Sequence, residues 1–312
     1  MSRLIVYLRM TTPFHFGKKG NLEESQAVFS GDALFSALAM EWIRLFDDQA
    51  IEWLVEAGRQ DQFLISDLFP FSGECLYLKK PLIEKTSSII PEQIKQEKKA
   101  QFLTVESWIS YLKDESAIEK EPEFMEADKR ICLNKSNDQK PEPYFITASR
   151  IKEECGFYLM VQIAEEKITD FLMVLESLGE TGIGGKKSAG LGHFQLSRCV
   201  DLEKSQLNKA ESLLKTVWQK NARKMVTLSP LLPLPSELNK VRQGTYQLLK
   251  RNGFVASSTY ENMPVKRKQV VMIDSGSCFN EWIDGQIIDL SENGGHPVYR
   301  YGKGFFLGVS HE

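Results

Sequence analysis

The sequence predicts an α+β protein of two units in tandem, the first with the ferredoxin-like (RRM-like) split βαβ arrangement that RNA-recognition domains also use. Three observations carry this expectation. Without one polar insertion, the apolar pattern of the first 200 residues runs strand, helix, strands, helix, strand. A second series of β-prone segments begins near Met225. The length, 312 residues with 42% hydrophobic content, favours two ordinary domains over one. We divide the chain at 1–215 and 216–312, with the insertion at about 84–150.

The opening Arg3-Leu4-Ile5-Val6-Tyr7-Leu8-Arg9-Met10 is strongly β-prone. Thr12-Pro13-Phe14-His15-Phe16-Gly17-Lys18-Lys19-Gly20 follows as a loop punctuated by proline and glycine. Ser30 reads as a helix N-cap, with Asp32 in the first turn where the helix dipole favours negative charge. Leu34, Leu38, Trp42 and Leu45 recur at helical spacing behind it. Phe69-Pro70-Phe71 and Cys75-Leu76-Tyr77-Leu78 read as short strands. The insertion is rich in Lys, Glu, Asn and Gln, and Arg130–Leu133 and Tyr144–Thr147 are candidate arms of a hairpin within it. Gly156–Ile163 is a strand, and Ile168, Phe171, Leu172, Leu175 and Leu178 mark a second helix. His193–Ser197 is the strand that closes the first unit. In the second unit Leu231–Pro235 is apolar and proline-marked, and Tyr246–Leu249, Gln269–Ile273 and Phe305–Val309 read as strands.

Between the second helix and the closing strand lies Gly179-Glu180-Thr181-Gly182-Ile183-Gly184-Gly185-Lys186-Lys187-Ser188-Ala189-Gly190-Leu191-Gly192, with six glycines and two adjacent lysines. Glycines permit positive φ and close approach of another chain, and lysines beside backbone N–H groups suit phosphate. A nucleotide loop is excluded by spacing. Gly179 and Gly184 have the Walker gap, but Gly185 stands where the lysine belongs, and neither Gly182-x-Gly184 nor Gly190-x-Gly192 has the third glycine of a dinucleotide fingerprint. Element order excludes it too, because both nucleotide motifs run strand, loop, helix. A longer polyanion is the better ligand.

The bulk properties narrow the class further. A net charge of −3 argues against indiscriminate coating of nucleic acid, so contacts must come from local pairs such as Lys18-Lys19, Lys79-Lys80 and Lys186-Lys187. Five scattered cysteines without C-x-x-C read as reduced residues of a cytoplasmic protein. No signal peptide or membrane-spanning run is expected. Four scattered histidines, His15, His193, His296 and His311, have no metal-ligand spacing. No catalytic residue, metal or cofactor is assigned: Asp32 alone makes no two-metal site, and no nucleophile signature is present. Phe14, Phe16, Tyr144 and Tyr301 are candidates for stacking on unpaired bases, with a core role as the alternative.

Ser30-Gly31-Asp32-Ala33-Leu34-Phe35-Ser36-Ala37-Leu38 resembles the first-helix signature of the RAMP proteins of CRISPR antiviral systems, and Gly182–Gly192 resembles their glycine-rich loop. Asp67-Leu68-Phe69-Pro70-Phe71, Leu78-Lys79-Lys80-Pro81, Ser275-Gly276-Ser277 and His296-Pro297-Val298-Tyr299-Arg300-Tyr301-Gly302 narrow the resemblance. Across both units the chain is similar to the fourth-subunit family of the type III-A Csm effector ribonucleoprotein. One departure is Lys79-Lys80-Pro81, where that family usually has Pro-Lys-Pro.

The resemblance implies two ferredoxin-like domains, the second degenerate and the first carrying a thumb-like hairpin. It implies a non-catalytic scaffold that caps the repeat-derived 5′ handle of the CRISPR RNA. Its partners would be the large polymerase/cyclase-like subunit and the first backbone RAMP subunit, with no membrane. Lys18, Lys19, Lys186 and Lys187 would neutralise phosphates, Gly182, Gly184, Gly185 and Gly190 would let the RNA backbone pass close, and Ser188 with backbone amides would fix its path. His15, Gly17, Ser30, Lys79, Lys80, Arg130 and Tyr301 complete the expected RNA-binding set. The alternative is a metal-independent RAMP endoribonuclease that processes precursor CRISPR RNA with His15.

Overall fold

The opening strand β1 (Ser2–Met10) lies inside a sheet, and its alternation feeds two different cores. The structure is a computed structural model. It describes residues 1–18, 21–25, 28–47, 49–83, 99–115, 123–127, 131–135, 142–219, 222–255, 260, 265–292 and 294–310. The N-terminal elements are α1 (Gly31–Leu45), α2 (Gln49–Arg59), β2 (Phe63–Ile65), β3 (Phe69–Ser72), β4 (Cys75–Lys79), β5 (Phe102–Thr104) and α3 (Val105–Leu112). They continue with β6 (Cys155–Ile163), α4 (Ile168–Thr181), β7 (Phe194–Asp201) and α5 (Lys209–Val217). The sheet runs β7-β1-β6-β3-β4-β5, with β2 also on β6. Every pairing in it is antiparallel.

Side chains alternate across a strand, so β1 and its partner β6 sort their residues by parity. Leu4, Val6 and Leu8 stand opposite Val161, Leu159 and Phe157. This face is covered by Leu34, Phe35, Leu38 and Trp42 of α1 and by Phe171, Val174, Leu175 and Leu178 of α4. Ile5 and Tyr7 stand opposite Met160 and Tyr158 on the other face. There they meet Trp108 and Leu112 of α3, Leu214 and Val217 of α5, and Val226, Leu228 and Leu307 from the C-terminal part. Both faces are apolar because both are covered.

The C-terminal part consists of short antiparallel pieces: β8 (Lys224–Thr227), β9 (Leu248–Arg251), β10 (Val270–Ile273), β11 (Cys278–Phe279), β12 (Gly285–Asp289), β13 (Tyr299–Lys303) and β14 (Phe306–Val309). β8 sits between β11 and β14, β9 pairs with β10, and β12 pairs with β13. The expected strands at 246–249, 269–273 and 305–309 are found within about two residues. In the insertion, Ile131–Lys135 pairs with Glu142–Ile146, which forms the hairpin. The insertion's 84–98 segment lies outside the described residues.

Polar contacts join the two parts at the start of α1. Ser30 holds the N-cap position with extended backbone, but its hydroxyl caps nothing. Asp67 does that work, its Oδ1 accepting the Gly31 N–H at 2.7 Å. Asp32 is no ordinary first-turn acid. It is buried and ion-paired to Arg251 at 2.6 Å and to Arg300 at 2.9 Å. Two arginines from the distant C-terminal part, and not the helix dipole alone, therefore hold Asp32. Nearby, Lys79 pairs with Asp274 at 3.0 Å and donates to Ser275 Oγ at 3.2 Å. The Leu82 N–H donates to the Gly276 carbonyl at 2.8 Å. The two motifs 78–81 and 275–277 are thus two sides of one contact.

Burial pushes the Asp67 carboxyl up to about 7, against the opposing pull of Ser275, the Lys79 charge and the Gly31 N–H. The folded chain then holds a proton that the unfolded chain has lost between about pH 4 and pH 7. Stability should fall as pH rises through that window, with a slope of up to about 1.4 kcal/mol per pH unit from this group. Chemical denaturation across pH should show this slope in the native chain and its loss in Asp67→Asn. Identical slopes would contradict the assignment. Asp32→Ala should cost about 3–5 kcal/mol, because it leaves the half-buried Arg251 and the buried Arg300 without their carboxylate.

Candidate nucleic-acid interface

Helix α4 lays its apolar side on the sheet and stops at Gly182, whose φ of 82° ends the helical path. Two buried anchors then fix the loop, Ile183 on one limb and Leu191 on the other. The limbs are joined by the Ile183 N–H donating to the Gly192 carbonyl at 2.9 Å. Gly192 has φ +86°, and a Cβ there would lie 2.0 Å from the Ile183 carbonyl oxygen. Only glycine fits this neck.

The loop is docked on the segment that follows β1. The Gly192 N–H donates to the Pro13 carbonyl at 2.8 Å and the Gly185 N–H to the His15 carbonyl at 2.9 Å. The His193 N–H donates to Thr12 Oγ1 at 3.0 Å. The foot of the 131–146 hairpin holds the same segment from another side. Phe14 and Ser149 exchange backbone hydrogen bonds of 2.9 Å in each direction. His15 Nδ1 lies 2.8 Å from the Thr147 carbonyl, to which it donates. Leu191 packs against Ile146 and Ala148. Three segments far apart in sequence thus meet at one place.

Between the anchors the loop faces outward. Lys186 is half-buried and left-handed, with φ 63° and ψ 32°. Lys187–Ala189 is a single 3-10 turn, and Gly190 is again left-handed. Lys187, Ser188, Ala189 and Gly190 are exposed. The Ala189 and Gly190 N–H groups close the turn on the Lys186 and Lys187 carbonyls. His15 itself is buried under Gly184 and Gly185, so what the loop offers a phosphate chain is its exposed tip, with the Lys187 ammonium and the Ser188 hydroxyl.

The remaining expected residues divide. Gly17 joins His15, for a Cβ on it would lie 3.9 Å from His15 Nε2. Lys18 belongs to the short strand Gly17–Lys18, while Lys19 and Arg130 lie outside the described residues. Ser30 is not at the loop contact, and its hydroxyl accepts from Arg251 Nη2 at 2.5 Å. Lys79 is held at the seam by Asp274, and the Lys80 N–H donates to the Gln101 carbonyl. Tyr301 requires correction. It is fully buried against Phe35 with ring centroids 4.7 Å apart, and its Oη accepts the Ile65 N–H, so no base can reach its face. Phe14 and Phe16 are likewise buried, in a ring cluster with Phe29 and Phe157. Sequence reasoning missed Thr147 and Ser149, whose contribution is mainly backbone and leaves no residue-type signal. It also missed Arg251, whose carboxylate partner is 219 residues away.

Among the described residues no group of three His, Cys, Asp or Glu is placed to hold a metal ion. No helix among them is long and apolar enough to cross a membrane.

Comparison with known proteins adds sequence and fold evidence. Residues 220–309 match the family model described as the CRISPR Csm4 C-terminal domain. The chain is 30% identical over 302 residues to the CRISPR system Cms protein Csm4 of Mycobacterium tuberculosis (strain ATCC 25618 / H37Rv), covering 95% of this chain and 94% of the relative. It is 30% identical over 317 residues to the protein of the same name from Streptococcus thermophilus, covering 97% of each. Among solved structures, a chain of the Csm3–Csm4 subcomplex of the type III-A CRISPR-Cas interference complex superposes with TM-score 0.68 at 16% identity, covering 100% of both chains. A chain of the Csm1–Csm4 cassette in complex with cA4 superposes with TM-score 0.61 at 20% identity, covering 99% of this chain and 98% of the other.

The neck predicts its own sensitivity. Gly192→Ala should destabilise the loop by about 1–3 kcal/mol through its positive φ, and by more where the neck cannot open. Hydrogen exchange should then accelerate at Ile183 and Gly185 while the strands stay protected. Unchanged exchange at both amides would refute the neck's role.

Proposed function

Because the chain belongs to the Csm4 family of CRISPR effector subunits, we propose that it is a non-catalytic scaffold that binds the 5′ repeat-derived handle of the CRISPR RNA. The single observation that carries this reading is the glycine loop docked on the His15 segment, with its fastened neck and exposed Lys187–Gly190 tip. Phosphates of the handle would run over the tip, neutralised by Lys187 and Lys186, with Ser188 and backbone N–H groups fixing their path. Handle bases would be read by neighbouring loops, as is usual for single-stranded RNA. The first unit acts as a ferredoxin-like RAMP domain and the second as a degenerate one. The protein links the large polymerase/cyclase-like subunit to the first backbone subunit in a type III-A antiviral complex. Support for this link comes from relatives solved with Csm1 and with Csm3, whose fold the whole chain shares.

A second reading has one observation in its favour. The Thr147 carbonyl orients the His15 ring beside the loop, as a general base would have to be oriented. On that reading the protein cuts precursor CRISPR RNA without a metal.

Two measurements separate these readings. Lys186→Ala combined with Lys187→Ala should weaken binding of a handle RNA and lower the salt slope of log K by about 1.4, the value for two lost contacts to a single strand. Unchanged affinity and slope would sink the scaffold reading. Incubation of the protein with precursor RNA in EDTA should leave the RNA intact. Cleavage that disappears in His15→Ala would establish the ribonuclease instead.

A further inference from the structure

At the start of α1 three arginines from the C-terminal part gather around one acid. Asp32 Oδ1 is 2.6 Å from Arg251 and Oδ2 is 2.9 Å from Arg300, with Arg251 also donating to Ser30 Oγ. Arg251 lies on β9 and Arg300 on β13. The β9–β10 ribbon continues beyond its strands through the Arg267 N–H donating to the Gly253 carbonyl at 2.8 Å, which sets Arg267 against the chain two residues beyond Arg251. The Arg267 guanidinium is held below its usual range by burial and by the charge of Arg300, and is pulled back by Asp32.

Among the described residues three guanidiniums face one carboxylate, an excess of two positive charges. The buried side-chain polar atoms without a partner among the described residues are Nε of Arg251, Nε of Arg267 and Nε of Arg300. Buried donors are normally satisfied, and their orphaning here falls wholly on one cluster. Arg300 keeps only 6% of its side chain exposed and Asp32 only 1%, whereas Arg251 keeps 24%, so the cluster opens on the Arg251 side. A tetrahedral dianion or a phosphodiester offers what is lacking: negative charge and oxygens that match the guanidinium fork.

We infer that Arg251, Arg267 and Arg300, braced by Asp32, form a second phosphate site, and that its ligand is a backbone phosphate of the RNA. The site rests on the proposed handle-binding function for that ligand. The ribbon supports RNA over a free anion. Lys250 and Lys266 are exposed along it, as are the rings of Tyr246 and Phe254, and basic residues interleaved with aromatic ones suit a single strand. Ser30 then belongs to this second site through Arg251 and not to the glycine loop.

The test uses the full chain and a handle RNA, read by fluorescence anisotropy over a salt series. Arg267→Ala should weaken binding about tenfold, as expected for one lost charged hydrogen-bonding group, and lower the salt slope by about 0.7. A scan of single neutral methylphosphonate linkages should find one position that weakens the native chain and has no further effect in Arg267→Ala. An unchanged affinity in Arg267→Ala, or a scan with no such position, would overturn the site as an RNA contact. If Arg267→Ala lowers the thermal midpoint, the scan on the native chain still decides. Should the native chain bind no handle RNA, the proposed function fails by itself. Inorganic phosphate then discriminates: a raised thermal midpoint in the native chain but not in Arg267→Ala keeps the phosphate site, and no effect in either removes it.

Discussion

Strands β1 and β6 are apolar on both faces, and the rest of the molecule follows from the need to cover both. The N-terminal part has enough helix for one face, where α1 and α4 pack. The second face is closed only when α3 and α5 are joined by residues from β8 and β14. The C-terminal part is therefore structural to the first sheet. A partner with so large a shared core cannot drift, so charged residues can be matched across the seam at fixed distances. The Asp32 and Lys79 ion pairs and the Asp67 N–H donated to the Leu228 carbonyl all lie on that seam.

The same sheet sets the position of the glycine loop. Antiparallel pairing of β7 with β1 brings Met10 opposite Phe194, so the chain leaving β1 and the chain entering β7 emerge together. The Thr11–Phe16 segment and the loop must then lie side by side, and backbone hydrogen bonds fasten them. The insertion hairpin adds the third wall at Thr147 and Ser149. A binding surface assembled this way is stiff because its residues are committed to backbone contacts, leaving only the tip to a ligand. Such stiffness suits the proposed scaffold role, in which RNA would be held in one geometry.

Much of this was legible in the sequence wherever local patterning decides structure. The helix at Leu34–Trp42, the helix and strand flanking the glycine loop and a hairpin with arms near 130–133 and 144–147 follow from spacing, and the structure has them. The loop's departure from nucleotide motifs was equally legible, because it depends on glycine and lysine spacing alone. The failures share one cause. Tyr301 and Phe16 were offered as stacking surfaces because residue type does not report which face a neighbour will cover, and Phe35 and Phe157 cover them. Asp32 was explained by the nearest available charge, the helix dipole, when its partners lay more than two hundred residues away.

The sequence by itself determined the element types, the glycine-bearing turn and the family to which the chain belongs. These properties depend on dihedral preference and periodicity, which act over a few residues. Only the tertiary structure decided which charges are paired, which aromatics are sealed, and that His15, Gly185 and Thr147 meet. Those outcomes depend on burial, and burial is set by how whole elements stack on both faces of one sheet.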